Sequence, residues 1–241
     1  MNSSNKRIII AVLVVAALIA LVAITQPKQE IEPFNKYEGL VTIREIEMDD
    51  ETRKLLLGRI AETQAQIDAH LNGEGLDEEG NAEELDLDLY LSLASDYYLM
   101  GDLVNAREAL EKQLDGNPMH FGAWNSYGEV LRLMEDYDNA KFAFKKAIDV
   151  SNGGTEEVIR DYILLLEKYY PGSDDEVFEM LEFGVKTRGQ TPWLMVKLAE
   201  WYFEHDDCQR SEAHYKVAIA LSPANESIQQ DYQTVKRLCA E

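Results

Sequence analysis

Residues 124–147 read Trp124-Asn-Ser-Tyr127-Gly128-Glu-Val-Leu131-Arg-Leu-Met-Glu-Asp-Tyr137-Asp-Asn-Ala140-Lys-Phe-Ala-Phe144-Lys-Lys-Ala147, and this stretch decides the fold. The same grammar stands one period earlier in the chain, as Tyr90, Leu93-Ala94, Tyr97, Gly101, Ala106, Leu110 and Pro118. Large and small apolar residues recur at helical spacing, break at a Gly or acidic turn, and resume. Two helices that cannot bury their apolar faces alone must stack on neighbours, so small residues are expected where helix axes approach most closely. These are Ala94, Gly128, Ala106 and Ala140, with Phe144 and Ala147 beside them and Pro118 and Pro223 closing repeats.

Working outward, the register predicts helix pairs near 87–120 and 121–154. With three extra positions assigned to the Ser-Asn-Gly-Gly-Thr stretch at 151–155, further pairs follow near 158–191 and 192–225. In this register Asp161 takes the aromatic position of the third repeat and Leu165 its small position. Residues 85–93 alternate like a strand, but the repeat register assigns them to the first helix of the first repeat. Residues 226–241 read as a polar-faced capping helix. Upstream, residues 50–72 form a helix with acids in its first turn, either packing on the solenoid or pairing with a second copy as a short coiled coil. Residues 73–85 are an acidic, Gly-rich linker without calcium-loop spacing.

The pattern resembles the tetratricopeptide repeat family over about two thirds of the chain. That resemblance implies an all-α superhelical solenoid in which the first helix of each repeat lines a concave groove for a partner peptide or helix. Read onto this sequence, the groove positions are Leu91, Ser95, Tyr98, then Asn125, Glu129, Arg132, then Tyr162, Leu166, Tyr169, then Val196, Glu200 and Phe203. Members that grip chaperone C-termini need Lys and Asn where this chain has Leu91 and Ser95, so that ligand is not expected. The surface offered, aromatic and aliphatic with Glu129 and Glu200 nearby, suits an amphipathic helix with a basic edge.

Residues 8–24 hold no polar side chain, and 8–25 read as a transmembrane anchor helix after a short tail, 1–7, that ends in Lys6-Arg7. A tether follows at 26–49, interrupted by Pro27 and Pro33. The expected layout is a signal anchor in the lipid bilayer, a cytoplasmic N-terminus and an extracytoplasmic, periplasmic or extracellular solenoid. A secreted module cleaved near Thr25 is the alternative. By layout alone the chain is similar to anchored ancillary proteins of the secretion translocon and to tetratricopeptide subunits of cytochrome c maturation, which present an apoprotein.

The formal net charge of −22 argues against nucleic acid, whose binding needs clustered cations. His70, His120, His205 and His214 are scattered without a nucleophile–base pattern, and no catalytic or phosphate-binding motif is present. No enzyme activity, cofactor or metal is expected. Cys208 opens the second helix of the fourth repeat and Cys239 ends the cap helix, so antiparallel packing would bring them together, as a disulfide in an extracytoplasmic domain or as buried thiols in a cytoplasmic one. The functional expectation is a protein–protein adaptor. A self-associating scaffold or assembly factor, forming a homo-oligomer, is its rival.

Overall fold

A computed structural model describes residues 36–74, 85–151 and 155–240. One compact unit runs from Gly39 to Glu241; of the other, residues 1–38, the described part is a turn in which the Lys36 ammonium lies 5.0 Å from the Tyr37 ring centre.

The larger unit begins with an extended segment, 39–46, followed by α1 (Asp50–Leu71), α2 (Asp88–Met100), α3 (Leu103–Gly116), α4 (Phe121–Leu133), α5 (Tyr137–Val150), α6 (Glu156–Tyr169), α7 (Asp174–Arg188), α8 (Pro192–Glu204), α9 (Cys208–Leu221) and α10 (Glu226–Leu238). Each helix packs on the next in chain order, as stacked antiparallel pairs require. Local chemistry sets the starts. The side chains of Asp49, Asp102, Thr155, Thr191 and Asp207 accept a backbone N–H of the first turn, and Pro192 fills the first turn of α8.

Close approach explains the small residues. A Cβ on Gly128 would lie 2.8 Å from the Phe144 ring, and one on Gly184 would lie 2.9 Å from Leu194. Ala106, Ala140, Phe144 and Ala147 have no exposed surface, and the core that the last three enter continues through Tyr215 and Ala218 to Ile228 and Val235 of α10. At the other end α1 buries Leu56 and Ile67, and its Arg59 guanidinium reaches the fully buried Asp96 of α2 at 2.8 Å. Burial raises the Asp96 carboxyl above its ordinary range, and Arg59 works against that shift.

The three extra positions are not where the sequence register puts them. The start-to-start interval within a pair is the same in α4–α5 (Phe121 to Tyr137) and α8–α9 (Pro192 to Cys208), but α6–α7 (Glu156 to Asp174) is longer by two. Between pairs, the interval is the same from α3 to α4 (Leu103 to Phe121), α7 to α8 (Asp174 to Pro192) and α9 to α10 (Cys208 to Glu226). From α5 to α6 (Tyr137 to Glu156) it is longer by one. A single insertion therefore precedes α6; of the other two, one lengthens α6 to 14 residues and one lengthens the α6–α7 turn, at Tyr170-Pro171-Gly172. Placing all three ahead of α6 rotates that helix by two positions.

The described end of the tether is docked. Val41 N–H donates to Met134 O at 3.0 Å, Arg44 N–H to Gly101 O at 2.8 Å, and Leu103 N–H to Thr42 O at 3.1 Å. Segment 39–46 is thus a strap laid across the inter-helix turns of the first two repeats. Those turns share a left-handed residue, at Gly101 (φ 79°), Glu135 (φ 64°), Gly172 (φ 87°) and Asp206 (φ 59°) in the four repeats.

The expectation of a single-pass membrane protein with an extracytoplasmic solenoid is overturned. Among the described residues no helix is long and apolar enough to cross a membrane. The 22-residue α1 has the length but is charged throughout, with Arg53, Lys54, Arg59, Glu62 and Asp68. The run at 8–25 lies outside the described residues, as do the tail 1–7 and residues 26–35 of the tether.

Candidate functional site

The first helices of the repeats, α2, α4 and α6, meet side by side and leave an open groove of about 480 Å³. Leu91, Ser95 and Tyr98 line it from α2, Asn125 and Glu129 from α4, and Asp161 from α6. A second hollow continues it past Arg132 to Leu164, Glu167, Lys168 and Tyr169.

The polar groups of the groove form a linked set. Arg132 donates to both carboxylate oxygens of Glu129 at 2.8 and 2.5 Å, and the Tyr98 hydroxyl lies 3.5 Å from the same carboxylate. Asn125 Nδ2 donates to Asp161 Oδ2 at 3.1 Å, while its Oδ1 is buried with no hydrogen-bond partner. Burial first, and then the Glu129 charge, raises the Asp161 carboxyl; the Asn125 bond opposes them. Burial also raises the Tyr98 hydroxyl, reinforced by Glu129. From outside the repeats, the Arg44 guanidinium of the strap sits 5.4 Å above the Tyr98 ring.

Tyr98, Asn125, Glu129, Arg132 and Tyr169 fall on this surface. Glu200 lines a separate hollow at the α6–α7 turn, and Phe203 is partly buried against the core. Tyr162 is a correction. Its side chain has no exposed surface, and its hydroxyl donates to Glu176 of α7, which also holds the Lys141 ammonium at 2.7 Å. Burial, then the Glu176 bond, drives the Tyr162 hydroxyl well above its ordinary value. Leu166 is likewise fully buried. Both follow from the rotated register of α6: the residues that face the groove are Asp161, Leu164, Glu167 and Lys168. The missed signal was the Pro-Gly pair at Pro171-Gly172, which marks a lengthened turn.

The Cys208–Cys239 bridge is present, with a Cα–Cα distance of 5.8 Å, tying the start of α9 to the end of α10. Among the described residues no group of three His, Cys, Asp or Glu is placed to hold a metal. His205 stacks on Trp201 at 3.8 Å and His214 on Tyr202 at 5.3 Å.

A stack of antiparallel helix pairs with a groove built from first helices is a helical-repeat solenoid. The tetratricopeptide repeat family model matches residues 121–153, which hold α4 and α5. Tetratricopeptide repeat protein 16 of Homo sapiens is 23% identical over 137 residues, 53% of this chain and 16% of that protein. The Macaca fascicularis protein of the same name matches to the same extent. This chain therefore spans about a sixth of the length of these curated relatives. Among solved structures, that of MamA superposes with a TM-score of 0.54 at 16% identity, covering 74% of this chain and 97% of that one. PilW, described as a type IV pilus biogenesis factor, gives 0.51 at 18% identity, covering 66% and 72%. At such identities the likeness establishes the fold alone, an all-α tetratricopeptide-type solenoid.

Proposed function

We propose that this chain is an adaptor that holds a peptide or amphipathic helix of a partner protein in the α2–α4–α6 groove. The observation carrying the reading is the buried, unpartnered Asn125 Oδ1 beside Asp161 on the floor of an open cleft. A buried acceptor without a donor is costly unless a ligand supplies one. Leu91 and Leu164 offer apolar contact at either end, and Glu129 and Asp161 favour a partner with a basic edge. Crosslinking and co-purification from the native cell, wild type against Tyr98→Ala/Asn125→Ala, tests it. A partner retained by wild type and lost by the variant, with helicity unchanged, supports the groove. Equal retention by both removes it.

One further observation favours a second reading, a self-associating scaffold. The helix α1 leaves Leu55, Leu57 and Leu71 exposed at 63%, 51% and 66%. Apolar residues so placed suit a contact between copies, and the fold neighbour PilW is by its description a biogenesis factor. Mass by light scattering that rises with concentration, and stops rising in Leu55→Glu/Leu71→Glu, would favour it over the adaptor.

A further inference from the structure

An extended chain advances about 3.3 Å per residue, so three residues cover about 10 Å, close to the spacing of packed helices. The strap keeps that beat: Arg44 N–H meets the turn of the first repeat and Val41 N–H, three residues earlier, meets the turn of the second. In return Leu103, the first residue of α3, donates its N–H to Thr42 O. Both partners use groups a helix end leaves unpaired.

The third and fourth repeats present the same geometry, and among the described residues no strap crosses them. Gly172 and Asp206 repeat the left-handed turn. Among the described hydrogen bonds, none goes to the carbonyls of Pro171, Gly172, His205 or Asp206, and none comes from the N–H groups of Asp174 and Cys208, the counterparts of Leu103. Two hollows lie in line beyond Leu40, the first strap residue to touch this edge: about 280 Å³ beside Tyr137, Asp138, Tyr169 and Tyr170, then about 360 Å³ between the α6–α7 turn and α8. The second is lined by the carboxylates Glu167, Asp174, Glu200 and Glu204 and by one ammonium, Lys197, which pairs with Glu167 at 3.1 Å and Glu200 at 3.0 Å.

We propose that the turn edge of the third and fourth repeats is a second docking track, separate from the groove, for an extended lysine- or arginine-bearing segment of a partner protein. Free carbonyls along a row of turns call for N–H donors, which a helix has already spent on itself and an extended chain has not. Surplus carboxylates select cations and repel nucleic acid. The strap is the working example of the pairing.

The probes are two fluorescein-labelled twelve-residue peptides, four repeats of Lys-Val-Thr and four of Glu-Val-Thr, titrated by anisotropy against the full chain. Binding of the lysine peptide at least about ten-fold tighter than the glutamate peptide is expected, a difference of about 1.4 kcal/mol. Amide shifts should centre on Asp174 and Cys208. Glu204→Gln, at an exposed position, should weaken binding several-fold, and Asn125→Ala in the groove should leave it unchanged. Three results would each overturn the track: no binding of the lysine peptide, equal binding of both peptides, or amide shifts centred on Leu91, Asn125 and Glu129. The first two leave the groove reading untouched and the third would favour it, so failure of the track and failure of the groove are distinguishable.

Discussion

The two halves of the solenoid are held by different devices. The first two repeats are clipped from outside by a strand-like strap, whose backbone hydrogen bonds join the turn at Gly101 to the turn at Glu135. Among the described residues no strap crosses the last two, and their end is closed covalently by Cys208–Cys239. Gly101 and Gly172 show the contrast at single-residue scale. Both are left-handed, at φ 79° and 87°, but a Cβ on Gly101 would lie 2.0 Å from the Arg44 carbonyl oxygen, while one on Gly172 meets nothing within 4 Å. The same turn conformation is thus crowded in one half and open in the other. A turn's local geometry does not by itself say what a substitution costs.

The comparison can be broken or sharpened in order of expected effect. Cys208→Ser/Cys239→Ser removes a link closing 31 residues and should cost roughly 3–4 kcal/mol in the chain-entropy model, read as a lower denaturation midpoint. Reductant should mimic it in wild type and do nothing further to the variant; a midpoint unmoved by both would mean α10 holds without its bridge. Gly101→Ala should cost about 2–4 kcal/mol, combining left-handed strain with displacement of the strap, against about 1–2 kcal/mol for Gly172→Ala. Equal losses would show that the strap contributes nothing at that turn.

Ala140→Leu overpacks a fully buried helix crossing in the second repeat and should cost about 1–3 kcal/mol. The third repeat already accommodates Val177 at the matching position, so Val177→Leu should cost less. An unchanged melting temperature for Ala140→Leu would overturn the repeat register.

The smallest effect concerns pH. Burial raises the Asp161 carboxyl in the folded chain, so the native state binds that proton more tightly than the unfolded one. Its contribution is full below the unfolded carboxylate range near about pH 4 and is lost as pH rises through the raised native value. Melting temperatures of wild type minus Asp161→Asn should therefore fall as pH rises above the unfolded carboxylate range. A flat difference would mean that the groove floor is better solvated than its geometry implies.

Much of this fold could be read from residue spacing. The repeat places Ala94, Gly128, Ala140 and Phe144 at helix crossings because helical period and side-chain volume are local properties. The groove was legible only where the period held: Tyr98, Asn125, Glu129 and Arg132 lie in the first two repeats, and all four line it. The reading failed at Tyr162. Two of the extra positions fall in the body of α6 and the turn after it, not before it, and a two-position slip turns a helix by about 200°. That slip carries a residue from the groove to the core.

What the sequence determined alone, then, is the helix pairs, their order and the large–small pairing that stacks them, since each depends on contacts a few residues apart or on one fixed period. What only the tertiary structure decided is which side of α6 faces the groove and where segment 39–46 docks. The first depends on where the extra residues fall around one helix, and the second on free backbone groups meeting across the turns of successive repeats; an unpaired carbonyl leaves no mark on the residue that carries it.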